Sequence, residues 1–473
     1  MDASLWRPRT VSAKRHGGSL KRTDSDWLTL AAMSLGYGVV QLDVTIVNTA
    51  LNSIGGALGG GISGLQWIVS TYTITFAALI LTAGTLGDRV GAKKVFTAGF
   101  AIFTAASLAC ALAPSMPILI AGRALQGVGA AVLVPNSLAL LNHAYPDERR
   151  RGRAVSIWAA GASLALTAGP LVGGALITLV GWRSIFLVNL PIGLAGLWLT
   201  ARYTDETATS ADRAPDLAGQ LLAIGALGCL AGAIIEGGAL GWGSPWVLGG
   251  LAAAVILTAL FLFEERRVPQ PMLPLAFFSR RSFSLMSLAG LWVNVAFYGL
   301  IFVLSLYFQQ INDLSPFATG LAFVPMMAAV LPANLLAPHV SERIGAPAVI
   351  TIGACIAAAG CAGLLFIARG TSYPAMCAQL LAMGAGLGLL VPPLTSTLLG
   401  SVEKSRSGLA AAVLNSARQT GSVLGVALFG SLASHAQGFI AGARAALGIS
   451  TALLLATALI SLAARGQANV SDH

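Results

Sequence analysis

The apolar residues of this chain fall into runs of about 20, the length that a helix needs to cross a bilayer. Fourteen such runs are predicted, near 27–52, 65–86, 95–113, 117–142, 154–180, 184–201, 217–238, 245–263, 283–309, 316–338, 347–368, 373–399, 408–432 and 438–463. Several are longer than a minimal span, which tilt or protrusion into the headgroups absorbs. The longest polar segments are the N-terminal tail and the 264–282 loop, so there is no room for a soluble catalytic or nucleotide-binding domain. The pattern predicts an all-α polytopic membrane protein with 14 transmembrane helices.

Composition agrees. Of 473 residues, 56% are hydrophobic and 10% charged, with a mean hydropathy of +0.79. An average soluble chain is about 25% charged, and a disordered one has the opposite balance. The five cysteines, at 110, 229, 355, 361 and 377, lie in apolar runs without metal-ligand spacing, so neither a metal site nor a disulfide framework is expected.

Net charge is +10, and its distribution sets the orientation. With the N-terminus inside, 23 of the 28 Lys/Arg fall on cytoplasmic segments and three, Arg183, Arg369 and Arg444, on the external side. This bias predicts a cell-membrane protein with both termini cytoplasmic. Because the basic residues are scattered over short loops, no nucleic-acid partner is implied. Residues 1–26 read as a cytoplasmic tail and not as a cleaved signal, since the apolar run after them is too long.

An ionisable side chain in hydrocarbon is a functional candidate by default. Asp43 is the one acid placed deep in a predicted span; Glu236 lies near the external end of the seventh, and Arg123 and Arg418 lie inside the fourth and thirteenth. Asp43 reads either as a packing ion pair, with Arg123 as its partner, or as a titrating proton-coupling carboxylate. Burial favours the neutral acid and a nearby guanidinium favours the carboxylate, so a partner that moves switches proton affinity between two conformations. Polar and aromatic residues inside the spans form a candidate substrate set: Tyr37, Asn48, Tyr72, Gln126, Asn136, Trp292, Asn294, Phe297, Tyr298, Gln309, Asn415 and Arg418. Their aromatic members offer contact area and cation–π attraction to an amphipathic molecule. Gly169-Pro170, Gly173-Gly174 and Pro392-Pro393 are candidate close-packing or hinge points.

Four segments resemble the signatures of the major facilitator superfamily, and specifically its fourteen-span drug:proton antiporter group. Leu42 to Leu51 resembles that group's first-span motif, and Gly84-Thr85-Leu86-Gly87-Asp88-Arg89-Val90-Gly91-Ala92-Lys93-Lys94 the loop between spans 2 and 3. Arg123-Ala124-Leu125-Gln126-Gly127 with Gly129 is similar to the span 4 motif, and Gly169-Pro170-Leu171-Val172-Gly173-Gly174 to the span 5 motif of antiporters. Gly181-Trp182-Arg183, followed by Phe186, Asn189 and Pro191, extends the match. Ala92 and Ala165 depart from it, standing where a basic residue and a glycine are usual. The chain looks most like actinomycete antibiotic-resistance exporters such as the methylenomycin A resistance proteins.

The resemblance implies gating roles for Gly84, Asp88, Arg89, Gly91, Gly169, Pro170, Gly173 and Gly174. A degenerate copy of the loop at His339–Gly345, and Asn415, Arg418, Gln419, Gly421 and Gly425 in the thirteenth span, suggest an internal duplication. The expected organisation is a six-helix bundle at 27–201, a linker with two extra spans at 202–263, a loop at 264–282, a second bundle at 283–463 and a cytoplasmic tail at 464–473.

No Gly-Lys dipeptide occurs, so no P-loop is possible, and ATP is not an expected partner. The expected function is proton-coupled export of antibiotics or other amphipathic drugs, without a cofactor and without enzymatic activity. A metabolite transporter on the same fold is the alternative, and a membrane-embedded enzyme or receptor is disfavoured by the missing catalytic constellation.

Overall fold

A computed structural model describes residues 18–209, 216–269, 271–403, 406–434 and 438–468. All regular structure among them is helical: α1 (Gly18–Leu58), α2 (Gly61–Val90), α3 (Ala92–Ala111), α4 (Met116–Ala144), α5 (Glu148–Val180), α6 (Ser184–Leu187), α7 (Asn189–Tyr203), α8 (Leu217–Leu240), α9 (Pro245–Arg267), α10 (Arg281–Leu306), α11 (Pro316–Ile344), α12 (Ala346–Gly363), α13 (Tyr373–Gly400), α14 (Ser407–Ala433) and α15 (Phe439–Ala468). Thirteen helical spans are long and apolar enough to cross a membrane, with α6 and α7 together forming one of them. The chain is therefore a multi-pass membrane protein.

The thirteenth predicted span, 408–432, is present as α14, 27 residues long, but it falls outside that apolar set. Asn415, Arg418 and Gln419 lower its hydropathy. It is instead a helix of the molecule's interior, packed on α10, α2, α8, α15 and α13.

Several boundaries differ from the sequence reading. α1 starts at Gly18, so the end of the expected 1–26 tail is helical, while residues 1–17 lie outside the described residues. α15 continues to Ala468, into the expected 464–473 tail. The sixth span breaks at Val188, and the ninth ends in a π-helical turn, Tyr307–Ile311. Polar caps fix some starts locally: Asp147 accepts the Arg150 N–H at α5, Asp216 the Gly219 N–H at α8 and Ser315 the Ala318 N–H at α11.

The helices pair in a pattern that occurs twice. α1 packs on α5 and α7, α4 on α2 and α3, and α3 on α7. In the same relation α10 packs on α14 and α15, α13 on α11 and α12, and α12 on α15. The two sets meet reciprocally, α2 against α14 and α5 against α11. α8 packs on α9, α2 and α14, while α9 is the span least covered by protein.

Call proximal the face carrying the start of α1 and the α2–α3 and α4–α5 turns, and distal the opposite face. The contacts that join the two sets lie largely in the distal half. Ser305 Oγ donates to the Asn48 carbonyl at 2.6 Å, Gln310 Nε2 to Asn52 Oδ1 at 3.1 Å, and Gln66 Nε2 to the Val426 carbonyl at 2.9 Å. At the α5–α11 crossing, a Cβ on Gly174 would stand 2.5 Å from the Pro316 carbonyl oxygen, and one on Gly320 2.4 Å from that of Pro170. Only glycine permits backbones so close.

Candidate functional site

Asp43, on α1, is fully buried, and its carboxylate is ion-paired with the Arg123 guanidinium of α4. A buried pair endures only when its remaining polar atoms are also satisfied. Here they are. Arg123 Nε donates to the Ile68 carbonyl at 3.1 Å and Nη1 to Gln126 Oε1 at 2.8 Å, and the guanidinium lies 4.3 Å from the Tyr72 ring centroid. Asp43 Oδ1 accepts from Gln126 Nε2 at 3.2 Å and from Asn189 Nδ2 at 3.1 Å. Ser107 Oγ accepts from both amides, at 2.8 and 3.3 Å.

Close helix packing sets this register. A Cβ on Gly127 would meet the Tyr72 carbonyl oxygen at 2.4 Å, and one on Gly129 the Gly99 carbonyl oxygen at 2.9 Å, so α4 lies hard against α2 and α3. Arg123, one turn before Gly127, is thereby aimed past α2 at α1.

The other sequence candidates separate into distinct places. Tyr72 and Gln126 belong to the ion-pair network. Tyr37, Phe297, Tyr298, Asn415 and Arg418 are half-buried, near or on the proximal side of their helix midpoints. Trp292 is also half-buried. Tyr37 stacks on Trp158 of α5 with centroids 4.4 Å apart, and Tyr298 meets Phe297 edge to face at 5.0 Å. Asn48 and Gln309 are buried in the distal closure beside Ser305. Asn294 is buried, its amide donating to the Gly290 carbonyl. Asn136 does not reach this region: its amide donates to the Ala83 carbonyl at 3.1 Å and its side chain fills the space over Gly87, clamping α4 to the end of α2.

The gating candidates also divide. Gly169 and Gly173 face α1, where Cβ atoms would stand 2.0 Å from Thr45 Oγ1 and 3.0 Å from the Ile46 carbonyl oxygen respectively, whereas Pro170 and Gly174 face α11. Gly84 makes ordinary contact with Pro135, and Asp88 and Arg89 stand in the last turn of α2. Gly91 turns the chain between α2 and α3 with φ 107°, as the motif anticipated.

Sequence reasoning omitted three contributors from the candidate set: Asn189, Ser107 and Glu206. Asn189 and Ser107 are polar positions inside apolar spans, and Asn189 also stands in the motif that follows Gly181; those were their available signals. Glu206 follows α7, and its carboxylate accepts the N–H groups of Lys93 at 2.8 Å and Lys94 at 3.2 Å, capping α3. Thr207 Oγ1 accepts the Ala92 N–H. Glu206→Ala should cost about 1 kcal/mol, the usual worth of such a cap. The check is the apparent melting temperature of the purified protein, expected to fall by a few degrees; an unchanged value would show that the cap is idle.

Residues 33–426 match the Major Facilitator Superfamily. The chain belongs to that superfamily. Its members are carriers and not catalysts, so it is a secondary transporter, and its relatives are drug-resistance exporters. It is 36% identical over 457 residues to the methylenomycin A resistance protein of Bacillus subtilis (strain 168), covering 95% of this chain and 96% of the relative. It is 38% identical to the methylenomycin A resistance protein of Streptomyces coelicolor, covering 85% and 84% of the two chains. Multidrug resistance protein Stp of Mycobacterium tuberculosis is also 38% identical, over 86% of this chain and 75% of that one. Among solved structures, a peptide transporter POT in complex with sulfate superposes with a TM-score of 0.70 at 16% identity, over 93% of this chain and 94% of that one, a likeness of fold.

Proposed function

We propose that this transporter is a proton-coupled exporter of amphipathic drugs. The observation that carries the reading is the fully buried Asp43–Arg123 pair, set among half-buried tyrosines and a second guanidinium, with the two helix sets joined distally. The proximal face is the cytoplasmic one, because most Lys/Arg lie there, and the termini belong to it. The conformation is then closed on the external side.

Residues 27–201 and 283–463 act as two bundles that rock about the midplane, with the extra helices of 202–263 at the side; the twice-repeated helix pairing supports this. Asp43 carries the proton. In the conformation seen, Asp43 is paired with Arg123, with Gln126 and Asn189 orienting it. Protonation from the external side removes the attraction to Arg123 and frees α4 from α1. Release toward the cytoplasm restores the pair. No cofactor is required. Each proton entering is worth ~2.3 kcal/mol per 100 mV, roughly a 50-fold concentration ratio.

Names of the relatives support a drug as cargo. Accumulation of antibiotics or dyes in everted vesicles under an imposed pH gradient tests the reading, alongside susceptibility profiling of an expressing strain. Uptake of a metabolite in the opposite direction would favour the alternative. For topology, reporter fusions at Gly241 and Asp313 should both report the external side, and a cytoplasmic signal at either would overturn it.

A further inference from the structure

The formal charge carried near the middle of the helices is unbalanced. Asp43 and Arg123 neutralise one another. Glu236 of α8 is engaged elsewhere, accepting from Ser63 Oγ and Trp67 Nε1 of α2, each at 2.9 Å. Arg123 is ion-paired with Asp43 and Arg150 with Asp26. Arg418 is in neither, and among the described residues its guanidinium has no hydrogen-bond partner. Among the described residues no acid is ion-paired with it: the Tyr37 and Tyr298 hydroxyls lie within its electrostatic reach, and Gly290 of α10 makes room for its stem, a Cβ there standing 3.6 Å from Arg418 Cγ.

A guanidinium without a counter-charge near the middle of a membrane protein is costly. It is also a rigid fork of donors that fits a carboxylate or a similar oxyanion in bidentate fashion. The stacked Tyr37–Trp158 pair and the Phe297–Tyr298 pair beside it offer flat contact area for an apolar body. The same tyrosines that invite a cation–π reading already face a cation. A cationic drug placed among them would meet Arg418 with like charge and no carboxylate to offset it.

We propose that the cargo is an organic anion, an amphipathic molecule whose carboxylate or equivalent acidic group seats on Arg418 while its apolar part packs on Tyr37, Phe297 and Tyr298. This rests on the export reading above and names its substrate class.

Fluorescein and rhodamine 123 share a xanthene skeleton and differ chiefly in charge, so they serve as the probes. Binding is measured on the full chain reconstituted in neutral phosphatidylcholine vesicles, where no anionic headgroup competes. Fluorescein should bind at least ~10-fold more tightly than rhodamine 123. Arg418→Gln should erase that preference by weakening fluorescein at least ~10-fold, about 1.4 kcal/mol. Arg418→Lys should retain part of it, which shows that the site is still folded. Absence of Arg418-dependent fluorescein binding would overturn the anion assignment. Gradient-driven movement of rhodamine 123 with fluorescein excluded would overturn it too, and would leave the export reading standing. Movement of neither dye, with Arg418-dependent fluorescein binding intact, would instead overturn export and leave the anion site.

Discussion

Asp43→Asn is expected to abolish uphill transport while leaving downhill exchange intact. In proteoliposomes with an imposed gradient of about two pH units, one coupled proton sustains a substrate ratio of up to ~100, since ~1.4 kcal/mol is a decade. Without a titrating group at position 43 that ratio should collapse toward one. The substitution also leaves Arg123 buried without its counter-ion, and breaking a buried pair from one side typically costs ~3–5 kcal/mol. Gln126, the Ile68 carbonyl and the Tyr72 ring remain to soften that loss. The double substitution Asp43→Asn with Arg123→Gln removes both charges. It should recover most of the thermal stability and none of the gradient-driven accumulation. That combination separates the two readings of the pair, because a mere packing pair would regain transport along with stability.

Gly174→Leu should shift the molecule away from the distally closed state. A Cβ at this position already stands 2.9 Å from Phe317 Cα, besides its approach to the Pro316 carbonyl oxygen, and backbone atoms cannot yield as a flexible side chain can. Overpacking of this kind costs about 1–3 kcal/mol, a shift of roughly 5- to 150-fold in a two-state equilibrium. The cost is escaped if α5 and α11 separate, so the protein should remain folded while transport falls at least ~10-fold. Spin labels replacing Asn52 and Gln310, which hydrogen-bond across the same closure, should read a longer distance in the variant. Wild-type transport with an unchanged distance would remove α5–α11 from the gate. Substitution at Gly173 strikes α1 and not α11, and should therefore lower stability without the same opening.

Much of the architecture was legible along the chain because a bilayer imposes a one-dimensional rule. Every backbone polar group must be satisfied within its own segment, so spans announce themselves as apolar runs. The exceptions are instructive. α14 was placed correctly although Asn415, Arg418 and Gln419 make it too polar to pass as lipid-facing, and it proves to be packed on five other helices. The helical starts of α1 and α5 extend well beyond their apolar runs, since a helix continues through charged residues at little cost once nucleated.

Asp43 stood out in the sequence because an acid in an apolar run is expensive wherever it points. Its pairing with Arg123 was one of two readings there, and Asn189 and Ser107 were absent from the candidate set. Partner choice depends on how each helix is rotated and how far it is slid against its neighbours. Those two variables are fixed by contacts such as Gly127 on the Tyr72 carbonyl and Gly129 on that of Gly99. Asn136 shows the same limit from the other side: a polar residue in a span looks like a ligand until packing turns it onto Gly87. The helical spans, the isolated deep charges and the family motifs could all be read from consecutive residues, because hydropathy and motif spacing are local properties of the chain. That Asp43 is neutralised by Arg123 while Arg418 stands without a counter-charge could not be read that way. Charge balance belongs to residues brought together from α1, α4, α10 and α14, and it exists only once those helices have packed.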